Sequence, residues 1–152
     1  MPDRRRGRDT SPALVLCCID RRFIQAVQRE IRGRAGVRDY YLRADGGGVK
    51  ALVRGAAPVR AWALRVIRVA YAQGARRVIM IQHEDCLAYG GSGAFRSAAE
   101  ERAWHIREVQ AAAAHLQRRL PGIRVQGWYA RGEGAGVLMR RVPLPPRAGS
   151  RS

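Results

Sequence analysis

The sequence predicts an α/β fold, a single domain built on a mostly parallel sheet of four to five strands with helices on both faces. Short apolar runs alternate along the chain with longer segments of helical periodicity, which is the pattern of parallel strands joined by crossover helices. The length of 152 residues suits one domain, and an apolar content of 47% is enough to fill one core.

The first strand is predicted over Ala13 to Ile19, where all seven residues are apolar or cysteine before Asp20 interrupts the run. A helix is predicted over Arg21 to Arg32, because large apolar residues recur every four positions. These residues are Phe23, Val27 and Ile31. Gly33 suits the C-terminal cap of this helix.

Two further strands are predicted in the middle of the chain. Asp39 to Arg43 forms the second strand, and the glycines at 46–48 form a turn after it. Pro58 is suited to begin a helix and Gly74 to end it. Arg76 to Gln82 then forms the third strand.

The longest helix is predicted to begin at a capping box, Ser97-Ala-Ala-Glu100, in which a hydroxyl and a carboxylate satisfy free backbone N–H groups. The helix should run to about Leu120, where Pro121-Gly122 ends it. Its buried stripe consists of Ile106, Val109, Ala113, Leu116 and Leu120.

The last part of the folded chain is predicted to be a fourth strand over Ile123 to Ala130 and a short edge strand over Val137 to Arg141. Gly132 to Gly136 forms the turn between them. The folded domain is thus predicted over residues 13–142. Basic tails at 1–12 and 143–152 are predicted to be disordered, because the second is rich in proline and both are rich in arginine.

Three potential metal ligands lie at the ends of predicted strands. Cys18 ends the first apolar run, and His83 and Cys86 follow the third. Sites in open α/β sheets form outside the carboxyl ends of the strands, so these side chains are predicted to lie together. Two thiolates and one imidazole supply three of the four ligands of tetrahedral zinc and leave one position for water, as catalytic zinc sites require. For His83 and Cys86, the alternatives to a catalytic zinc site are a structural zinc site or a pair of residues with no shared function.

A carboxylate and a guanidinium follow the first cysteine, in the order Cys18-Ile-Asp20-Arg-Arg22. In a strand that continues to Asp20, the carboxylate shares a face with Cys18 and lies beside the open position of the metal. Arg22 is suited to hold this carboxylate ionised through a bidentate pair. Cys17 then points the other way and is interpreted as a small buried apolar residue.

These motifs together resemble the beta-class carbonic anhydrases, across most of residues 13–141. The motifs are Cys18-x-Asp20-x-Arg22, His83-x-x-Cys86 and Val125-Gln-Gly-Trp-Tyr129. Their order, spacing and position at strand ends are more specific than any one of them. The residue after the second cysteine is commonly glycine in that family, and here it is Leu87.

The resemblance implies a beta-carbonic-anhydrase-like fold, a zinc ion held by Cys18, His83 and Cys86, and a catalytic dyad of Asp20 and Arg22. The implied activity is reversible hydration of carbon dioxide to bicarbonate by attack of zinc-bound hydroxide. The implied assembly is a homodimer or a higher homo-oligomer. Two alternatives keep the metal: hydrolysis of a carbon dioxide analogue such as carbonyl sulfide or carbon disulfide, and a non-catalytic zinc-binding role in which Leu87 closes the site.

The composition limits the remaining classes of function. A formal net charge of +17 suggests non-specific, salt-dependent adhesion to polyanions, but no nucleic-acid-binding motif accompanies it, so no specific nucleic-acid partner is expected. No apolar run approaches the length of a membrane span, so no membrane partner is expected. Three cysteines, two of them assigned to a metal, leave no disulfide framework, which favours a cytoplasmic location.

Several polar residues near the predicted site have more than one interpretation. Glu84 and Asp85 are candidate acid/base groups, or Asp85 caps the local turn. Tyr89 lines the mouth of a cavity or packs. His105 and His115 are interpreted as surface or packing residues.

Overall fold

A computed structural model describes residues 12–146. It contains one five-stranded sheet of order β2-β1-β3-β4-β5, in which the first four strands are parallel and β5 is antiparallel to β4. The predicted mostly parallel sheet is therefore confirmed. The strands are β1 Ala13–Cys18, β2 Tyr40–Asp45, β3 Arg77–His83, β4 Arg124–Glu133 and β5 Gly136–Val142.

In this described part of the chain, four α-helices connect the strands: α1 Ile24–Arg32, α2 Lys50–Val53, α3 Ala57–Ala72 and α4 Ala98–Arg119. The prediction that the first helix begins at Arg21 is wrong by three residues. The carbonyl oxygen of Asp20 accepts hydrogen bonds from the N–H groups of Phe23 and Ile24, which makes residues 21–23 a turn before the helix. The single-turn helix α2 was not predicted.

Helices cover both faces of the sheet. On one face, Leu14, Leu16 and Met80 pack against α3 and α4. On the other face, Val15, Cys17 and Ile79 pack against α1. Successive residues of a strand point to opposite faces, so a strand buried on both faces needs a continuous apolar run. This requirement explains the apolar runs in β1 and β3.

The helix ends follow the predicted turn chemistry with one difference. Ser97 Oγ accepts a hydrogen bond from the N–H of Glu100 at 3.1 Å, as a capping residue does. The carboxylate of Glu100 accepts a hydrogen bond from the N–H of Arg96 rather than from that of Ser97. The predicted capping box therefore has Arg96 in place of Ser97 as its backbone donor. Pro58 lies in the first turn of α3.

The ends of some strands differ from the prediction. Strand β1 ends at Cys18 rather than Ile19. Strand β4 continues to Glu133 and β5 begins at Gly136, so the turn between them is shorter than the predicted turn at 132–136. Residues 143–146 have no regular structure. The rest of the predicted C-terminal tail, and the predicted N-terminal tail apart from Pro12, lie outside the described residues. Within residues 12–146, no helix combines the length and the apolar character that crossing a membrane requires.

Candidate metal centre and active site

The sheet brings the three predicted ligands together. Strands β1 and β3 are parallel neighbours, so the carboxyl ends that carry Cys18 and His83 meet at one edge. Cys86 follows in the loop after β3. One ligand atom from each of these residues, the two thiol sulfurs and a ring nitrogen, lies within 4.8 Å of the others, and the Sγ atoms of Cys18 and Cys86 are 4.0 Å apart. The three side chains predicted from strand ends are therefore adjacent.

His83 is oriented so that it could bind a metal ion on the side of the cysteines. Its Nδ1 atom lies 2.7 Å from the carbonyl oxygen of Glu84, and its ring stacks on that of Phe23 with centroids 4.3 Å apart. Its Nε2 atom is buried and has no hydrogen-bond partner among the described residues. A metal-binding histidine has this arrangement, because one nitrogen is fixed by a hydrogen bond and the other is left for the ion.

The donor set fits a zinc ion. Two Zn–S bonds of about 2.3 Å at the tetrahedral angle separate the sulfurs by about 3.8 Å. The observed separation between Cys18 and Cys86 is 4.0 Å. Together with the unpartnered nitrogen of His83, this spacing means that the three residues could hold zinc with one coordination position left over.

The two thiols have different proton affinities. The Cys86 thiol donates a hydrogen bond to Cys18, which holds the pKa of Cys18 well below its usual value although burial opposes this effect. The N–H of Gly47 also points at the Cys18 sulfur, at 3.5 Å. The hydrogen bond between the two thiols raises the pKa of Cys86. Cys18 is thus stabilised as a thiolate, the form in which cysteine binds metals. Cys17 faces the core, where burial raises its pKa to about 12.

Asp20 and Arg22 form a close pair beside these residues. Arg22 Nε lies 3.0 Å from Asp20 Oδ1, and Nη2 lies 2.7 Å from Oδ2. These hydrogen bonds lower the pKa of Asp20 to about 2. Asp20 Oδ2 is 4.0 Å from His83 Nε2. The predicted position of Asp20 beside the three residues is therefore observed, but the predicted reason is wrong, because β1 has ended and a turn brings the carboxylate there.

Asp85 is a second carboxylate partner of Arg22, which the sequence analysis did not identify. Its Oδ2 atom accepts from Arg22 Nη1 at 2.8 Å, and its Oδ1 atom accepts from the N–H of Ser92 at 2.9 Å. The second contact is the turn-capping role that was one of its two interpretations. Arg22 lowers the pKa of Asp85 as well. The only sequence signal for the first contact is an acidic residue directly before Cys86, which does not specify a partner.

A buried polar layer supports the loop that carries Cys86. Gln82 accepts a hydrogen bond from the N–H of Val49 at 3.2 Å and donates one to the hydroxyl of Tyr89 at 3.1 Å. Tyr89 donates to Glu108 at 3.1 Å, and Lys50 donates to the carbonyl oxygen of Ala88. Of the two interpretations of Tyr89, packing is the one observed, since it is not among the residues that line the cavity.

His105 is fully buried behind this layer. Its ring meets that of Tyr89 edge-on, with centroids 4.7 Å apart, and its Nδ1 atom lies 3.4 Å from Gln82 Nε2. Burial lowers the pKa of His105 to about 4. The packing interpretation therefore applies to His105, which is inaccessible to solvent protons in the folded chain.

The glycine turn after β2 packs directly against the candidate centre. Gly47 and Gly48 have φ values of 89° and 60°, which favour glycine. A Cβ atom on Gly48 would lie 2.2 Å from Gln82 Oε1. The segment is a tight turn, as predicted.

A cavity of about 460 Å³ opens beside the three candidate ligands. Leu87 lines its rim with 80% of its surface exposed, so this side chain does not cover the cavity. The lining residues are Cys18, Ile19, Asp20, Arg21, Arg22, Gly46, Asp85, Leu87 and Ala88. A small molecule in this cavity would reach a candidate ligand and a carboxylate that is held ionised.

Comparison with known proteins gives similarity in structure only. No protein-family model matches the sequence, and no curated protein sequence matches it. Three similar solved structures are carbonic anhydrases. That of Glaciozyma antarctica has a TM-score of 0.50 and 20% identity, covering 86% of this chain and 83% of its own.

The other two solved structures are beta-carbonic anhydrases. CafA of Aspergillus fumigatus has a TM-score of 0.54 and 11% identity, covering 89% of this chain and 77% of its own. Isoform I of Trichomonas vaginalis has a TM-score of 0.50 and 13% identity, covering 86% of this chain and 84% of its own. The chain therefore has the fold of the beta-carbonic anhydrases, the family that its motifs resemble.

Proposed function

We propose that this protein is a zinc-dependent carbonate dehydratase, which hydrates carbon dioxide reversibly to bicarbonate. The observation that carries the proposal is the convergence of Cys18, His83 and Cys86 beside a carboxylate that is paired with arginine. The fold shared with carbonic anhydrases supports the same function.

In this proposal Cys18, His83 and Cys86 hold the zinc ion. A bound zinc ion lowers the pKa of water and so makes a strong nucleophile available at neutral pH. The carbonyl oxygen of Glu84 fixes the ring of His83 through Nδ1, which leaves Nε2 for the metal. The Cys18 thiolate is already favoured by its hydrogen bonds, so little proton release from this residue accompanies binding.

Asp20 orients the attacking water. Its carboxylate is ionised at neutral pH, because Arg22 holds its pKa at about 2, and it can therefore only accept hydrogen bonds. One accepted hydrogen bond fixes the direction of the water lone pair relative to the carbon atom of carbon dioxide. Arg22 keeps its charge at any relevant pH, since both Asp20 and Asp85 raise its pKa.

The cavity supports a small, weakly polar substrate. Ile19, Leu87 and Ala88 supply an apolar wall, and the charged groups lie on the side of Asp20 and Arg22. The exposed position of Leu87 argues against the alternative in which this side chain closes the site. Hydrolysis of carbonyl sulfide or carbon disulfide uses the same groups and stays an alternative, which the experiment below separates.

The test is stopped-flow measurement of carbon dioxide hydration on protein whose zinc content has been quantified. We expect a rate proportional to the zinc bound and abolished by chelation. Carbonyl sulfide and carbon disulfide are assayed in parallel, and turnover of either one without hydration would favour the analogue hydrolase. Stoichiometric zinc without turnover of any of the three would contradict the catalytic proposal and favour a binding role.

We also propose that the protein forms a homodimer or a higher homo-oligomer. Strand β2 is an edge of the sheet and exposes Tyr41 and Leu42 at 39% and 48%. An edge strand with exposed apolar residues is suited to pair with a second copy. Light scattering after gel filtration should give at least twice the chain mass of 16.9 kDa, and Leu42→Lys should lower it. A wild-type protein that is monomeric at micromolar concentration would contradict this proposal.

Reduced thiols are necessary for the proposed metal centre, and the three cysteines of the described chain are free. This requirement supports the cytoplasmic location that we infer from cysteine usage.

A further inference from the structure

Asp85 lies in the sequence between two proposed zinc ligands, His83 and Cys86, and it has an unusual backbone conformation. Its φ is 53°, and no other non-glycine residue in the described part of the chain has a positive φ. This left-handed region is unfavourable for residues with a Cβ atom, although aspartate tolerates it better than most. Such conformations persist where surrounding contacts enforce them, and they cluster at functional sites.

Every polar group of Asp85 is bonded. Its N–H donates to Glu101 Oε1 at 2.6 Å, and its Oδ1 atom accepts from the N–H of Ser92 at 2.9 Å. Arg22 makes the other two contacts, with Nη1 2.8 Å from Oδ2 and Nη2 2.9 Å from the carbonyl oxygen. Asp85 thus connects the loop that carries Cys86 to the turn that carries Asp20.

Within residues 12–146, the buried carboxylate of Glu101 hydrogen-bonds only to this loop. It is 2% exposed and forms no ion pair with any residue in 12–146. Its second oxygen, Oε2, accepts from the hydroxyl of Ser92 at 2.8 Å. Burying a carboxylate without a cation is unfavourable unless hydrogen bonds satisfy its oxygens. The position of Glu101 in the first turn of α4 offsets part of this cost.

We propose that Glu101 and Asp85 are positioning residues of the metal centre. Glu101 holds Asp85 in the left-handed conformation that directs Cys86 towards Cys18 and His83. The Asp85 carboxylate in turn holds Arg22 against Asp20. This inference rests on the proposed function, since it concerns the geometry of the proposed zinc ligands and of the proposed catalytic pair.

The first experiment replaces Glu101 and measures zinc affinity by competition with a chelator. Glu101→Met should weaken zinc binding about 10- to 100-fold, the range typical for loss of a partner behind the ligands. It should also change the visible spectrum of the cobalt-substituted protein, which reports ligand geometry. Glu101→Gln keeps a carbonyl oxygen that can accept from the N–H of Asp85, so its affinity and spectrum should stay near those of the wild type.

Glu108→Met is the matched control. Glu108 lies on the same helix and is also 2% exposed, but it bonds to Tyr89 and Arg54 rather than to Asp85. Glu108 reaches the loop through the side chain of Tyr89 and not through the backbone beside Cys86, so its loss should destabilise the fold, as measured by thermal melting, with a smaller change in the cobalt spectrum than Glu101→Met causes. Equal zinc affinities and equal spectra for Glu101→Met and Glu108→Met would overturn the proposal.

A second pair of variants tests Asp85 directly and does not depend on whether Glu101→Met folds. Asp85→Gly permits the left-handed backbone but removes the carboxylate, so zinc affinity should be kept while hydration falls about 10-fold through release of Arg22. Asp85→Ala lacks both features, so zinc affinity should fall as well. Identical zinc affinities for the two variants would contradict the backbone role.

These results separate the inference from the proposed function. If the wild-type protein binds zinc but does not hydrate carbon dioxide, the proposed function fails, while the zinc affinities and cobalt spectra still test the positioning roles. If hydration is observed and Glu101→Met retains wild-type affinity and spectrum, the positioning roles fail alone. A wild-type protein that binds neither zinc nor cobalt would overturn both.

Discussion

Arg22 holds the carboxylate of Asp20 in a bidentate contact, with Nε 3.0 Å from Oδ1 and Nη2 2.7 Å from Oδ2. The N–H of Arg22 adds a third bond to Oδ1 at 2.9 Å. Asp20 is the less accessible partner, with 14% of its side chain exposed against 43% for Arg22. The pair therefore fixes an ionised carboxylate at the wall of the cavity, next to His83.

Replacement of this carboxylate should separate metal binding from catalysis. Asp20→Asn keeps the size of the side chain but donates hydrogen bonds where the carboxylate accepts them, so we expect hydration to fall about 100-fold or more with zinc retained. The measurement is stopped-flow hydration at a matched zinc content. Asp39→Asn, at an exposed position outside the cavity, is the control. Full activity of Asp20→Asn would exclude an essential role for this residue.

The two adjacent cysteines should behave in opposite ways. Cys18→Ser removes a thiolate ligand, so we expect zinc affinity to fall by more than about 100-fold, the upper end of the loss for a second-shell partner. Cys17→Ala removes a side chain that is buried in the core, so stability should fall by about 1 kcal/mol with zinc binding unchanged. Zinc competition and urea unfolding measure the two effects. Comparable zinc loss in both variants would point to a general effect on folding.

Stability should decrease in mild acid because of His105. Burial lowers its pKa in the folded chain to about 4, whereas the unfolded chain has an ordinary histidine near 6.5. Between these values the unfolded state binds the proton and the folded state does not, so the free energy of unfolding falls as the pH falls. The full effect is about 3 kcal/mol. Urea unfolding at pH 7 and pH 4.5 should show a smaller acid loss for His105→Gln, and an unchanged loss would refute this assignment.

The glycine turn after β2 gives a prediction with an internal control. Gly48→Ala introduces a Cβ atom 2.2 Å from Gln82 Oε1 at a φ of +60°, so it should cost more than the roughly 1–2 kcal/mol of the left-handed conformation alone. Gly122→Ala has a similar φ of +75° with no atom within 4 Å of the new Cβ, so it should cost only the conformational part. Equal losses in urea unfolding would mean that the turn relaxes away from Gln82.

Local signals in the sequence were sufficient for most of the fold. Apolar runs identified the strands, helical periodicity identified α1 and α4, and the remaining helix ends were identified from Pro58, Gly74 and Ser97. The sequence failed at element ends, as at Arg21, because hydrogen bonds of one or two backbone groups decide where a helix begins. It also missed α2, which is a single turn and too short to have a periodicity.

The sequence by itself determined which residues lie at the carboxyl ends of β1 and β3, because the strand pattern and the residue types are local properties. It therefore identified Cys18, His83 and Cys86 as a candidate ligand set. The spacing also indicated the pair of Asp20 and Arg22, and only the tertiary structure decided the contacts between distant polar groups. The contact of Arg22 with Asp85 spans 63 positions, and that of Asp85 with Glu101 joins a loop to a helix. Such contacts depend on how separate elements pack, so no local spacing encodes them.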